Sequence, residues 1–278
     1  MKSGPERGER LDAAVVAAAN GAPATVFSTV RALPEQRTQQ PGRCGRCLRG
    51  GDTFRIEQMD MGGCMMVENA ASLIGGLSQR DVVLASETES RRKLLTAAGL
   101  AFRIVAPDVD EAAIHEALLK DNGEMDPGDV AELLARAKAQ EVSARFPGAL
   151  VIGADQALSL NGKILDKPKD PDAVRDTLFT LRGKTHQLHS AVALAEGGQV
   201  TWTYIETAHL TMRPFSPQFL GRYLAAAGPQ VHQSVGAYQL DGLGIQLFDR
   251  IEGDYFAILG LPLLLLCARL RENRVLAS

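Results

Sequence analysis

The chain has 278 residues, with 30 Lys and Arg against 33 Asp and Glu and a formal net charge of -3. That balance gives no global basic field, so overall charge selects neither nucleic acid nor an anionic membrane as a partner, and any anion site must be local. No stretch reaches the roughly 18 apolar residues that a membrane span needs, and the Ala-rich segment 11–27 lacks the basic start and unbroken apolar core of a signal peptide, which points to a cytoplasmic protein.

Residues 1–80 show little sustained periodicity, and "LPEQRTQQPGRCGRCLRGGD" is rich in Gly, Pro, Gln and Arg. This composition predicts a disordered extension ahead of one domain over 81–278. Met59, Met61, Met65 and Met66 precede the first convincing strand and offer alternative starts of translation. Cys44 and Cys47 form a CxxC pair, but Cys64 lies seventeen residues on and the first histidine is His115. Two ligands do not close a zinc site, so ordinary thiols are the favoured reading over half of a zinc module.

From residue 81 strands and helices alternate, which predicts an α/β fold. Val82–Ala85 reads as a strand, Ser90–Ala98 as a helix, Phe102–Val105 as a strand and Asp129–Phe146 as a long helix. In the long helix Val130, Leu134, Ala137 and Ala144 make one apolar stripe, with Lys138 at its margin and able to reach a cleft. "ALVIGADQALSL" is a buried strand that ends near Asp155, and Asn161-Gly162 is a hairpin turn. A capped helix from Asp172 to Leu181, closed by Gly183, comes next. Two long strands flank Gly197-Gly198, a helix opens at Ser216-Pro217, and a last helix follows Leu261-Pro262. His186 and His189 fall three apart in a strand, on opposite faces, and read as sheet-surface residues rather than ligands of one metal. Trp202 and Tyr204 share a strand face.

"LASETESRRKLL" at 84–95 places three hydroxyls, two acids and two arginines where a strand turns into a helix. Backbone N–H groups and cations at such a corner suit an anion, most plainly phosphate. Together with "APDVDE", "RAKA", "VIGADQ", "DKP", "GAYQLDGLG" and "GLPL", in that order, it makes residues 81–272 resemble the Maf family of nucleoside triphosphate pyrophosphatases. No one of these motifs would suffice alone.

The resemblance implies a Maf/ITPase-like α/β fold, a large curved mixed sheet flanked by helices around a nucleotide cleft. It implies hydrolysis of a nucleoside triphosphate between the α and β phosphates, a divalent Mg²⁺ or Mn²⁺, and a homodimer. By position, Asp155 matches the general base, Glu111 and Asp155 the metal-proximal acids, and Ser86, Arg91, Lys138 and Lys167 the polyphosphate ligands. Ser90, Gln156 and Asp241 match the positions that report the base. Members taking thymidine and uridine nucleotides carry Arg, Thr and Gln there; those acting on 7-methyl-GTP carry Trp, Gln and Glu. Gln156 follows the second group and Asp241 keeps its acid, whereas Ser90 cannot stack as Trp would. The implied substrate is 7-methyl-GTP or another modified or purine nucleotide. The chain departs from the family at Thr88, which stands for a serine, and at Glu89, which stands for a proline and adds negative charge near the phosphate site. That departure sustains a competing reading, a nucleotide-binding regulator of cell division with little turnover.

Overall fold

The computed structural model describes residues 80–111, 113, 114 and 126–277. The extension expected before residue 80, its CxxC pair and the alternative starts lie outside the described residues.

The α/β expectation holds. The first strand, β1 (Val82–Ala85), is buried throughout and leads through a polar corner into α1 (Glu89–Ala97). The strand expected at Phe102–Val105 shrinks to β2 (Arg103–Ile104), an exposed edge strand that pairs with β1 alone. The long helix α2 (Pro127–Arg145) starts earlier than expected, because Asp126 caps it by accepting from the Gly128 N–H at 2.8 Å and Pro127 occupies the first turn. Strand β3 (Leu150–Leu160) joins β4 (Lys163–Leu165) through Asn161 and Gly162, both at positive φ, as a two-residue hairpin of this kind requires. Then come α3 (Pro171–Leu181), the long strands β5 (Thr185–Glu196) and β6 (Gln199–Met212), and α4 (Pro217–Ala227), which Ser216 caps. Two short 3₁₀ turns precede β7 (Phe248–Glu252), and the chain closes with α5 (Tyr255–Ile258) and α6 (Leu263–Glu272).

The strands form one mixed sheet in the order β2-β1-β3-β5-β6-β7, with β4 also on β3. Helix α2 covers one face: Ala131, Ala135 and Ala139 lie against Ala157, Ala191, Ala193 and Ala195. The opposite face is covered by α1 and α6 over Leu84, Ile152 and Leu194, and by α3 and α4 over Leu158, Leu188 and Leu210. The single-stripe reading of α2 therefore needs correction. The helix is buried on two sides, against the sheet through its alanines and against Ile114 and Ile164 through Val130, Leu133, Leu134 and Ala137, while Ala144 is exposed.

The central strand does not end near Asp155. It is paired without a break with β5 from Val151 to Ser159. What ends is its other partner: β1 pairs with it only as far as Gly153, and β4 takes over at Leu158. Among the described residues no strand pairs with residues 154–157 on that edge, so the sheet forks there and a cleft opens around the middle of β3.

His186 and His189 lie on opposite faces as expected, but neither is on the sheet surface. His186 is 1% exposed and His189 6%. Helices cover both faces, and each ring has found a partner: His186 Nε2 is 2.7 Å from Tyr238 Oη, and His189 Nε2 is 2.9 Å from Ser159 Oγ. Trp202 and Tyr204 do share a face, their rings stacked with centroids 6.3 Å apart.

Candidate active site

The fork in the sheet opens onto a cleft of about 1210 Å³, with room for a nucleotide. Because alternate residues of β3 face opposite ways, Asp155 points to the α2 side while Gln156 points to the α1 and α6 side. The two halves of the cleft are built accordingly.

On the α2 side, Lys138 reaches over from the middle of the helix. Its Nζ donates to Asp155 Oδ1 at 2.6 Å and pairs with Glu111 Oε1 at 2.7 Å. Lys138 and Asp155 are nearly buried and Glu111 is half exposed. How close α2 comes is set by Gly153, two residues before Asp155. A Cβ there would sit 2.3 Å from the Ala135 carbonyl oxygen and 2.6 Å from the Ala139 nitrogen, on the turns of α2 that flank Lys138.

Arg91 stands at the corner between β1 and α1, 7% exposed. Its Nη1 donates to Ser86 Oγ at 3.1 Å and to Thr88 Oγ1 at 3.4 Å, and its Nε donates to the Gly260 carbonyl at 2.9 Å. Burial pushes the guanidinium pKa down, and the fields of Asp155 and Glu111 oppose that shift. The polar corner is thus a mounting for one buried cation, which lines the cleft. Ser86 is itself buried and sits behind Arg91 rather than among the residues lining the cleft. The added charge of Glu89 is engaged by Arg92, which donates to both of its carboxylate oxygens at 2.8 and 2.5 Å.

Lys167 lies in the exposed stretch after β4 and lines the same cleft, as do Lys93 and Lys169. Gln156, Asp241 and Ser90 also line the cleft. Gln156 Nε2 is fastened by Ser190 Oγ at 2.8 Å and by the carbonyls of Ala257 and Ile258 at 3.1 and 3.2 Å. Tyr238 lines the cleft too, its hydroxyl held by His186. Burial lowers the His186 pKa to about 4, so the ring is neutral at pH 7.

The structure therefore brings Arg91, Lys138, Lys167, Asp155, Glu111, Ser90, Gln156 and Asp241 to one cleft. Thr88, Tyr238 and Gly260 join them in the lining without having been singled out for a role, and Ser190 stands buried behind Gln156. "GLPL" did mark Gly260, but no side-chain chemistry in that motif announces a carbonyl acceptor. Among the described residues no group of three or more His, Cys, Asp or Glu comes together that could hold a metal. Asp155 and Glu111, converging on one Nζ, are the carboxylate pair at hand.

The family model for Maf-like proteins matches residues 81–273. The chain belongs to the Maf family. The 7-methyl-GTP pyrophosphatase of Mesorhizobium japonicum is 52% identical over 190 residues, 68% of this chain and 94% of that one. A Maf relative named nucleoside triphosphate pyrophosphatase, from Caulobacter vibrioides, is 48% identical over 200 residues, 72% of this chain and 99% of its own. Among solved structures, a HAM1 protein from Coxiella burnetii aligns with a TM-score of 0.31 and 16% identity over 49% of this chain and 75% of that one. Among the described residues of this Maf chain, no helix is long and apolar enough to cross a membrane.

Proposed function

We propose that this chain hydrolyses a nucleoside triphosphate to the monophosphate and pyrophosphate, with 7-methyl-GTP or a related purine nucleotide as substrate. The observation that carries the reading is the pairing of one nearly buried carboxylate, Asp155, with a cluster of cations at the fork of the sheet. The triphosphate brings several negative charges, and Arg91, Lys138 and Lys167 offset them from three sides of the cleft. Arg91 is held rigid by Ser86, Thr88 and Gly260, so little ordering remains to be done when phosphate arrives.

Asp155 takes the proton of the attacking water. The water oxygen forms a bond to a phosphorus of the α–β anhydride, and the bridging P–O bond breaks to release pyrophosphate. Asp155 and Glu111 would hold a divalent cation together with phosphate oxygens and water. This donor set suits Mg²⁺ or Mn²⁺, which commonly take one or two carboxylates and complete their shell from the substrate. Such a cation supplies charge neutralisation and a more acidic bound water. When phosphates enter, the Lys138 ammonium has anionic oxygens to move to, which releases both carboxylates.

The test is incubation with GTP, 7-methyl-GTP, UTP and dTTP in the presence of Mg²⁺ or Mn²⁺, with pyrophosphate and monophosphate measured. Equal amounts of both products, with the purine nucleotides leading, are expected. Tight nucleotide binding with no product would instead favour the regulator. Light scattering of the same sample tests the homodimer that the family resemblance implies.

A further inference from the structure

The amide of Gln156 is surrounded on its inner side by three atoms. Two are carbonyl oxygens, of Ala257 and Ile258, and have no hydrogen to give. The third is Ser190 Oγ, whose single hydrogen goes to the Ala257 carbonyl at 2.6 Å, leaving only lone pairs for Gln156. All three can only accept. The Gln156 NH₂ must face them, because the flipped amide would set Oε1 against the lone pairs of the Ala257 and Ile258 carbonyls and leave Ile258 without this donor. Neither partner is free to drift: Ser190 lies opposite Gln156 in the β3–β5 ladder, and Ala257 is fixed through its N–H, which donates to Asp254 Oδ1 at 2.7 Å. Among the described residues nothing donates to Gln156 Oε1, while Gln156 lines the cleft.

We propose that Ser190, with the Ala257 and Ile258 carbonyls, locks the Gln156 amide so that it offers the bound base an acceptor and never a donor. Asp241, which lines the same cleft, is an acceptor as well when ionised. Two acceptors call for a base whose edge carries adjacent donors. Guanine presents N1–H and the 2-amino group side by side, whereas uracil and thymine flank one N–H with two carbonyl oxygens. Ser190 is a positioning residue: it touches Gln156 and not the base, and it selects through the direction in which the amide is held. This inference rests on the proposal that a nucleoside triphosphate occupies the cleft.

The experiment compares kcat and KM for GTP and UTP in the full chain and in Ser190→Ala, Ser190→Thr and Gln156→Met. Ser190→Ala should lower the GTP-to-UTP ratio of kcat/KM about tenfold, the worth of one well-placed hydrogen bond. The change should fall on the KM for GTP, since the lock acts on the base and not on the phosphates. Ser190→Thr keeps the hydroxyl and should restore the ratio. A merely structural role for Ser190 predicts a loss of Tm with the ratio intact, and that result overturns the proposal. Should Ser190→Ala fail to fold, Gln156→Met decides: it removes the acceptor and should collapse the ratio, whereas an unchanged ratio overturns the proposal. A chain that still hydrolyses nucleotides with no shift in any ratio refutes the lock alone. Absence of hydrolysis and of nucleotide binding in the unaltered chain refutes the underlying reading, and the lock with it.

Discussion

The buried histidine behind Tyr238 makes a quantitative prediction about acid. His186 is 1% exposed, bonds to Tyr238 Oη through Nε2, and has a buried Nδ1 with no hydrogen-bond partner among the described residues. Burial lowers its pKa from 6.5 to about 4. The unfolded chain therefore binds a proton between those values that the folded chain refuses, so stability is lost as the pH falls. The full contribution is present above pH 6.5. About 2 kcal/mol is lost between pH 7 and pH 5, rising to roughly 3 kcal/mol by pH 4. Against a typical total of about 5–15 kcal/mol this is a visible fraction. Urea unfolding of the wild type and of His186→Phe at a series of pH values measures it. The variant should be less stable at pH 7, because Tyr238 Oη loses its partner, yet its stability should fall less steeply below pH 6.5. Parallel acid limbs in the two proteins would show that His186 is not the group that titrates. Because the folded chain keeps His186 neutral until the pH nears 4, this residue should leave the KM for nucleotide unchanged between pH 6.5 and 5 in the wild type.

Asp155→Asn should lower kcat by about 10²–10⁴, with the far-UV spectrum and Tm close to wild type, because the amide keeps the volume but cannot take the proton. Lys167→Ala should raise KM about tenfold through loss of one charge-assisted phosphate contact, read from initial rates over a range of substrate concentrations. Gly153→Ala would drive a methyl into the Ala135 and Ala139 backbone. It should cost about 1–3 kcal/mol in urea unfolding and also reduce kcat/KM, since the helix that moves away carries Lys138.

The sequence made most of the elements legible and left the site half-read, for identifiable reasons. Caps and turns are local, so Asn161-Gly162 and Ser216-Pro217 were read correctly. The end of a strand is not local. The polar residues Asp155 and Gln156 look like a strand terminus, but β5 holds them inside one continuous strand, and only the change of partner on the other edge opens the cleft. Ala144 fitted the apolar period of α2 yet is exposed, while Ala131, Ala135 and Ala139 carry the sheet contact because small side chains are what let the helix approach Gly153. His186 and His189 looked like surface residues because their partners, Tyr238 and Ser159, lie 52 and 30 residues away. The same distance hid Ser190 and the carbonyls of 257–260: a backbone acceptor has no letter in the sequence. The cations and acids of the cleft were readable because motif order carried them.

The fork in the sheet has a consequence for how this scaffold can diverge. The proposed phosphate contacts hang on β1, α1 and α2, the proposed base contacts on β5 and the segment from Tyr238 to Gly260, and the two sets meet at the Gly260 carbonyl, which holds Arg91, and at the middle of β3. Successive residues there face opposite ways, so Asp155 and Gln156 are neighbours in the chain but not in surroundings. Under the proposed function, substitutions around Gln156 can retune the base while Asp155 and Lys138 on the opposite face stay as they are. The chemistry and the choice of letter are thereby inherited as separable parts of one strand.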